Sequence, residues 1–135
     1  MTKTFWLILL MLSANAQAAS PAEALQGYTV QAKQENPVYK APSASKGDVF
    51  YHATHQLGNG TSVSCATCHT ANPKQPGKTR ANKEILPMAP SANAQRFTDA
   101  AKTEKWFRRN CQDVLGRTCT AQEKSDFIAY LLSVK

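Results

Sequence analysis

The sequence predicts an all-α fold, and three observations carry that prediction. Two Ser/Thr-x-x-Glu capping boxes, Ser20-Pro21-Ala22-Glu23 and Thr120-Ala121-Gln122-Glu123, each open a run with apolar residues at helical spacing. Between them, two further stretches repeat apolar residues every three or four positions. Near the centre stands Cys65-Ala66-Thr67-Cys68-His69. That spacing lets two thiolates add across the two vinyl groups of a haem while the adjacent imidazole turns inward to the iron. One haem c, bound covalently through Cys65 and Cys68 with His69 as an iron ligand, is therefore expected.

Two other readings of these cysteines are weaker. A thioredoxin-like pair needs a preceding strand in a βαβ pattern, whereas Gly58 to Ser64 is polar and glycine-containing. A zinc site needs a second ligand pair at ribbon or finger spacing, and Cys111 and Cys119 have seven residues between them.

Lys3, the apolar run Phe5 to Leu12 and the small residues ending in Ala16-Gln17-Ala18 form a secretory signal with cleavage expected after Ala18. The run is too short for a bilayer, which takes roughly 20 residues. The mature protein is expected to be soluble, not membrane-anchored, and periplasmic, the compartment in which covalent haem attachment also occurs. The chain has 16 basic and 9 acidic residues, a formal charge of +7, and loss of Lys3 with the signal leaves +6. Two haem propionates would lower that value. No aromatic and basic interleaving matches a nucleic-acid reader, so nucleic acid is not expected as a partner. Steering toward an acidic redox partner accounts for the charge better.

After the first capping box, Leu25, Tyr28 and Ala32 continue the helical spacing to about Glu35, where Asn36-Pro37 stops the helix and Pro42 marks a linker. A second helix opens at Ser43 or Ser45 and is expected to carry Val49, Phe50, Ala53 and Leu57 on one face. Gly47 and Phe50 resemble the glycine and aromatic of the N-terminal helix of class I c-type cytochromes, and Tyr130-Leu131 resemble their partners in the C-terminal helix. That resemblance implies a class I cytochrome c-like fold with an additional N-terminal helix. Residues 1–18 are then a cleaved signal peptide, 19–42 an N-terminal helical extension and linker, and 43–135 the cytochrome c domain. His52 and His55 are ligands by chemistry, but a surface or hydrogen-bonded role is the expectation for both.

Beyond the haem motif, Asn72 to Ala94 contains Pro73, Pro76, Pro87 and Pro90 with few helix signals, as in stiff loops that wrap a haem edge. Within it, Leu86-Pro87-Met88 resembles the proline and methionine that supply the sixth iron ligand in class I cytochromes. Thr98-Asp99 opens a helix expected to end at Asn110, with Thr103, Trp106 or Phe107, and Asn110 on one face. Lys105, Arg108 and Arg109 would lie near its C-terminal end, where positive charge suits the helix dipole. Cys111 and Cys119, with Gly116 between them to help the chain turn, most simply form a disulfide in an exported protein. Phe127, Leu131 and Val134 give the terminal helix its apolar stripe.

The run Trp106-Phe107-Arg108-Arg109-Asn110-Cys111, with Gly116-Arg117, Cys119-Thr120 and Glu123, resembles the Sphaeroides haem protein family of high-spin monohaem cytochromes c. The resemblance extends upstream through Glu84-Ile85 and Ala89-Pro90-Ser91 to Arg96-Phe97-Thr98-Asp99 and covers most of the chain from Ser43 onward. It implies that Asn110, immediately before the first disulfide cysteine, is a labile axial ligand, and that Cys111 pairs with Cys119 beside the distal haem face. A related methylotroph cytochrome has histidine at that place and loses it on reduction. The resemblance also implies a dihaem cytochrome c and a membrane cytochrome b as electron donors.

The sixth ligand separates three functional readings. If Asn110 leaves on reduction, the ferrous haem is open to a diatomic such as oxygen or nitric oxide, because an amide oxygen is a poor ligand for ferrous iron. If Met88 stays bound in both oxidation states, the protein is an ordinary electron carrier. Without the family, the proline-methionine pair ranks Met88 first; with it, Asn110 is preferred. The enzyme reading, a small haem reductase or peroxidase-like protein turning over oxygen, peroxide or nitrogen oxides, has no recognisable histidine-arginine pair behind it.

Overall fold

The structure, a computed structural model, describes residues 20–135. The expected signal peptide at 1–18 lies outside the described residues. Helix α1, Pro21–Glu35, begins at the anticipated capping box: Ser20 Oγ accepts from the Glu23 N–H at 3.2 Å and the Glu23 carboxylate accepts from the Ser20 N–H at 2.6 Å. Helix α2, Ala44–His52, is capped by Ser43, and its polypeptide then turns extended at Ala53. Strands β1, His55–Gln56, and β2, Ser62–Val63, pair antiparallel. Helix α3, Cys65–His69, contains the haem motif itself. A second antiparallel pair, β3 (Gly77–Lys78) and β4 (Glu84–Ile85), interrupts the proline-rich loop. Helices α4, Ala100–Leu115, and α5, Ala121–Ser133, complete the chain.

Helix α5 is the hub, packed by α2 and by α1. Gly47 makes the α2 crossing possible: a Cβ there would run into the Asp126 carbonyl and lie 2.8 Å from Tyr130 Cβ. This is the close approach expected of Gly47, and it reorients α2 relative to the expected face. Gly47 and Tyr51, four apart, are buried, whereas Val49 is 70% exposed. Leu57, expected on the same helix, lies beyond β1 because α2 ends at His52. Val134 likewise is the C-cap of α5 and not part of its stripe, which is carried by Phe127, Ile128 and Leu131.

Helix α4 also departs from expectation, running on past Asn110 to Leu115. Gly116 stops it at φ 69°, in the left-handed region that glycine enters without a Cβ penalty. Lys105, Arg108 and Arg109 therefore sit within the helix, and the last turn has no basic residue. Thr103, Phe107 and Cys111 form the buried line, so Phe107 faces inward while Trp106, 43% exposed, stacks under Arg109 at 5.3 Å. Phe107 meets Phe127 and Tyr28 edge-on at 5.5 and 5.4 Å, joining α4, α5 and α1.

The N-terminal segment is fastened to α5 by polar contacts as well. Glu35 accepts from the Ala121 N–H at 3.0 Å, satisfying a donor at the N-terminus of α5. Tyr39 and Ser125 share a buried hydroxyl pair at 2.9 Å, and Asp126 accepts from the Ser43 N–H at 2.7 Å. Lys124, almost fully buried, donates to both oxygens of Glu104 at 2.8 Å, and the Tyr28 hydroxyl donates to the same carboxylate at 2.8 Å.

Candidate haem site

Helix α3 is only five residues long, and local hydrogen bonds hold it in place of cooperativity. Ser64 and Thr67 form a reciprocal capping box at its start. At its end Thr70 adopts φ 64°, a region L residues rarely occupy, and its hydroxyl donates to the Asn72 carbonyl at 2.7 Å. The Tyr51 hydroxyl, on the fully buried side of α2, lies 3.0 Å from the His69 carbonyl and 2.8 Å from that of Thr70. Gly77 backs the motif: a Cβ there would enter the Cys68 carbonyl and lie 2.9 Å from His69 Cα. Neither Tyr51 nor Gly77 has a local sequence signal that ties it to the motif.

The proline-rich loop is fixed against this unit. The Pro73 carbonyl accepts from the Met88 and Ala89 N–H groups at 2.8 and 2.9 Å. Met88 is only 7% exposed and joins a core cluster with Phe97, Cys111, Cys119 and Tyr51, against which Cys65 and Ala66 pack. The structure thus brings Met88, the disulfide and the first haem cysteine to one cluster. Cys111 and Cys119 are bonded, with Cα atoms 5.7 Å apart, so the link runs from the last turns of α4 to the start of α5. Asn110 is half-buried on α4, one position off the buried line, and its amide forms no hydrogen bond among the described residues.

The two histidines upstream are placed differently. His52 is on the exposed side of α2 with both ring nitrogens engaged: Nδ1 with the Asp48 carboxylate at 2.9 Å and carbonyl at 3.0 Å, and Nε2 with the Ala71 carbonyl at 3.2 Å. Slight burial lowers its pKa, but these partners outweigh that and raise it overall. His55 sits on β1 opposite Val63.

Residues 37–131 match the family described as a domain of unknown function, DUF1924. The chain is 40% identical over 127 residues to cytochrome c'' of Methylophilus methylotrophus, covering 93% of this chain and 88% of that one. It is 44% identical over 113 residues to the cytochrome c-type protein SHP of Cereibacter sphaeroides, covering 83% and 82%. The chain is a monohaem c-type cytochrome of this family. Its fold agrees with theirs: the crystal structure of oxidised cytochrome c'' matches with a TM-score of 0.79 at 41% identity, over 85% of this chain and 94% of that one. The structure of oxidised SHP, described as an oxygen-binding cytochrome c, matches with a TM-score of 0.74 at 42% identity, over 84% and 96%.

The residues of this cytochrome fit one covalent haem c. Cys65 and Cys68 take no part in a disulfide, which leaves both sulfurs for thioether links, and burial pushes the Cys65 thiol up to about 11. His69 Nδ1 is the one buried side-chain polar atom without a hydrogen-bond partner among the described residues. Such an orphan is costly in a finished core, and a buried ring with an uncommitted nitrogen fits the role of an iron ligand. Burial, and secondarily the Arg96 cation, pushes the His69 pKa down to about 4, so at neutral pH the ring is held uncharged, the form that binds iron.

Proposed function

We propose that this cytochrome holds its haem through Cys65 and Cys68, with His69 on one axial side and Asn110 on the other in the ferric state, and that Asn110 leaves on reduction. When bound, the haem supplies a one-electron iron centre and an axial position for a diatomic such as oxygen or nitric oxide. The observation that carries the reading is Asn110 itself: a half-buried, uncommitted amide held next to the buried Cys111 on α4. An amide oxygen is a hard, weak donor, tolerable to ferric iron and poor for ferrous. The relatives support the reading: SHP is described as oxygen-binding, and the solution structure of cytochrome c'' concerns haem-ligand detachment.

A second reading keeps Met88 on iron and makes the protein a plain carrier; the burial of Met88 in the cluster that includes Cys111 and against which Cys65 packs favours it. Absorption spectra of ferric and dithionite-reduced holoprotein, with and without carbon monoxide, separate the two. The proposal expects a high-spin ferrous spectrum that shifts with carbon monoxide, loss of the six-coordinate ferric spectrum in N110A, and its retention in M88L. A low-spin ferrous spectrum indifferent to carbon monoxide and lost in M88L would overturn it.

On the same reading, residues 43–135 are the haem-binding unit, 19–42 an extension, and the mature protein works in the periplasm. No helix among the described residues is long and apolar enough to cross a membrane. Electrons arrive from a dihaem cytochrome c and a membrane cytochrome b. Lys105, Arg108 and Arg109, exposed on the turns of α4 that lead to Asn110, give an acidic donor its landing surface.

A further inference from the structure

Arg96 lies in the loop between β4 and α4, half-buried, with every hydrogen bond directed at neutral acceptors. Its Nε donates to the Pro87 carbonyl at 3.2 Å, and its Nη2 to the carbonyls of Leu86 and Pro87 at 2.7 and 3.0 Å. Those carbonyls immediately precede Met88, whose N–H is anchored to Pro73, just beyond the haem motif. Among the described residues no carboxylate lies within ion-pair distance of Arg96, and its Nη1 forms no hydrogen bond. The three ion pairs among the described residues use His52, Arg117 and Lys124.

A guanidinium removed from part of its hydration and given no anion is destabilised, and burial lowers the Arg96 pKa accordingly. Arg96 also lies close enough to His69 for its charge to be felt there. A cation so placed calls for an anion at the haem, and the haem brings two carboxylates. The planar fork of arginine matches a carboxylate edge better than any other side chain does.

We propose that Arg96 pairs through its Nη1 side with a propionate of the haem held at Cys65 and Cys68, while its other nitrogens grip the Leu86 and Pro87 carbonyls. One side chain thereby positions both the cofactor and the Met88 loop. This rests on the haem reading of Cys65 to His69 and is independent of which residue is the sixth ligand.

Holoprotein of the natural sequence, R96Q and R96K tests it by three readouts: covalent haem content from the pyridine haemochrome spectrum, the propionate bending bands in resonance Raman, and the reduction midpoint potential. In R96Q the propionate bands shift and the midpoint falls, because loss of the cation favours ferric iron; R96K restores part of the midpoint. Propionate bands unmoved in R96Q overturn the pairing even if the midpoint falls, since a charge acting through the loop alone moves only the potential. Should R96Q not accumulate as holoprotein, R96K carries the test: a single ammonium in place of the fork must alter the bands, and unaltered bands overturn the pairing. Absence of covalent haem in the natural sequence overturns the haem reading and this pairing together.

Discussion

A methyl group is the smallest side chain that distinguishes two glycines of this protein. At position 47 it would enter the Asp126 carbonyl and crowd Tyr130, both on α5, whereas at position 27 it would meet nothing within 4 Å. G47A should therefore lose about 1–3 kcal/mol through overpacking, and G27A should gain about 0.5–1 kcal/mol from helix propensity. Denaturant unfolding of the two holoproteins checks the contrast, and a G47A variant as stable as G27A would contradict the crossing geometry. The same residue explains why Tyr51, not Val49, reaches the haem motif. A glycine crossing sets the rotation of α2 about its own axis, and residue 51 lies one turn further along the same line.

At the scale of elements, the disulfide joins the last turns of α4 to the start of α5, and Asn110 sits directly before its first cysteine. Replacing Cys111 and Cys119 by serine should cost about 2–3 kcal/mol from the entropy of a loop this short. Thermal unfolding of the double variant, compared with the natural holoprotein at equal haem content, measures that loss. Local chemistry made much of this architecture legible in the sequence. The capping boxes at Ser20 and Thr120 and the haem motif each complete their bonding within a few residues, so their meaning is written where they stand. The true end of α4 was also available in Gly116, a helix-stopping residue whose role in the structure is to end the helix and not merely to turn a loop. What could not be read were contacts whose partners are remote: the Tyr51 hydroxyl on the His69 carbonyl, Gly77 behind Cys68, and Arg96 on Leu86 and Pro87. No periodicity or spacing connects these residues, because tertiary packing alone brings them together.

Across the whole molecule, one charged junction ties three helices. Burial raises the Glu104 pKa, but hydrogen bonds from Lys124 and Tyr28 and the Lys124 charge outweigh it, leaving the folded value below the ordinary 4.5. A carboxylate lowered on folding contributes stability that is complete above its unfolded pKa and lost as pH falls through the folded one. E104Q should therefore be less stable than the natural protein at neutral pH, because buried Lys124 loses its counter-charge, and its stability should fall less between neutrality and strong acid. Urea midpoints measured across that range test both halves, and parallel curves for the two proteins would refute them. The same junction belongs to a larger arrangement in which α5 receives both α1 and α2. Its consequence is one of timing. Because α5 is the surface against which the two earlier helices close, neither finishes packing until the chain has emerged as far as Leu131, long after Cys65 and Cys68. The motif at Cys65 to His69 is thus complete in the chain well before the helix that closes the core, and the last packing step is a long-range one.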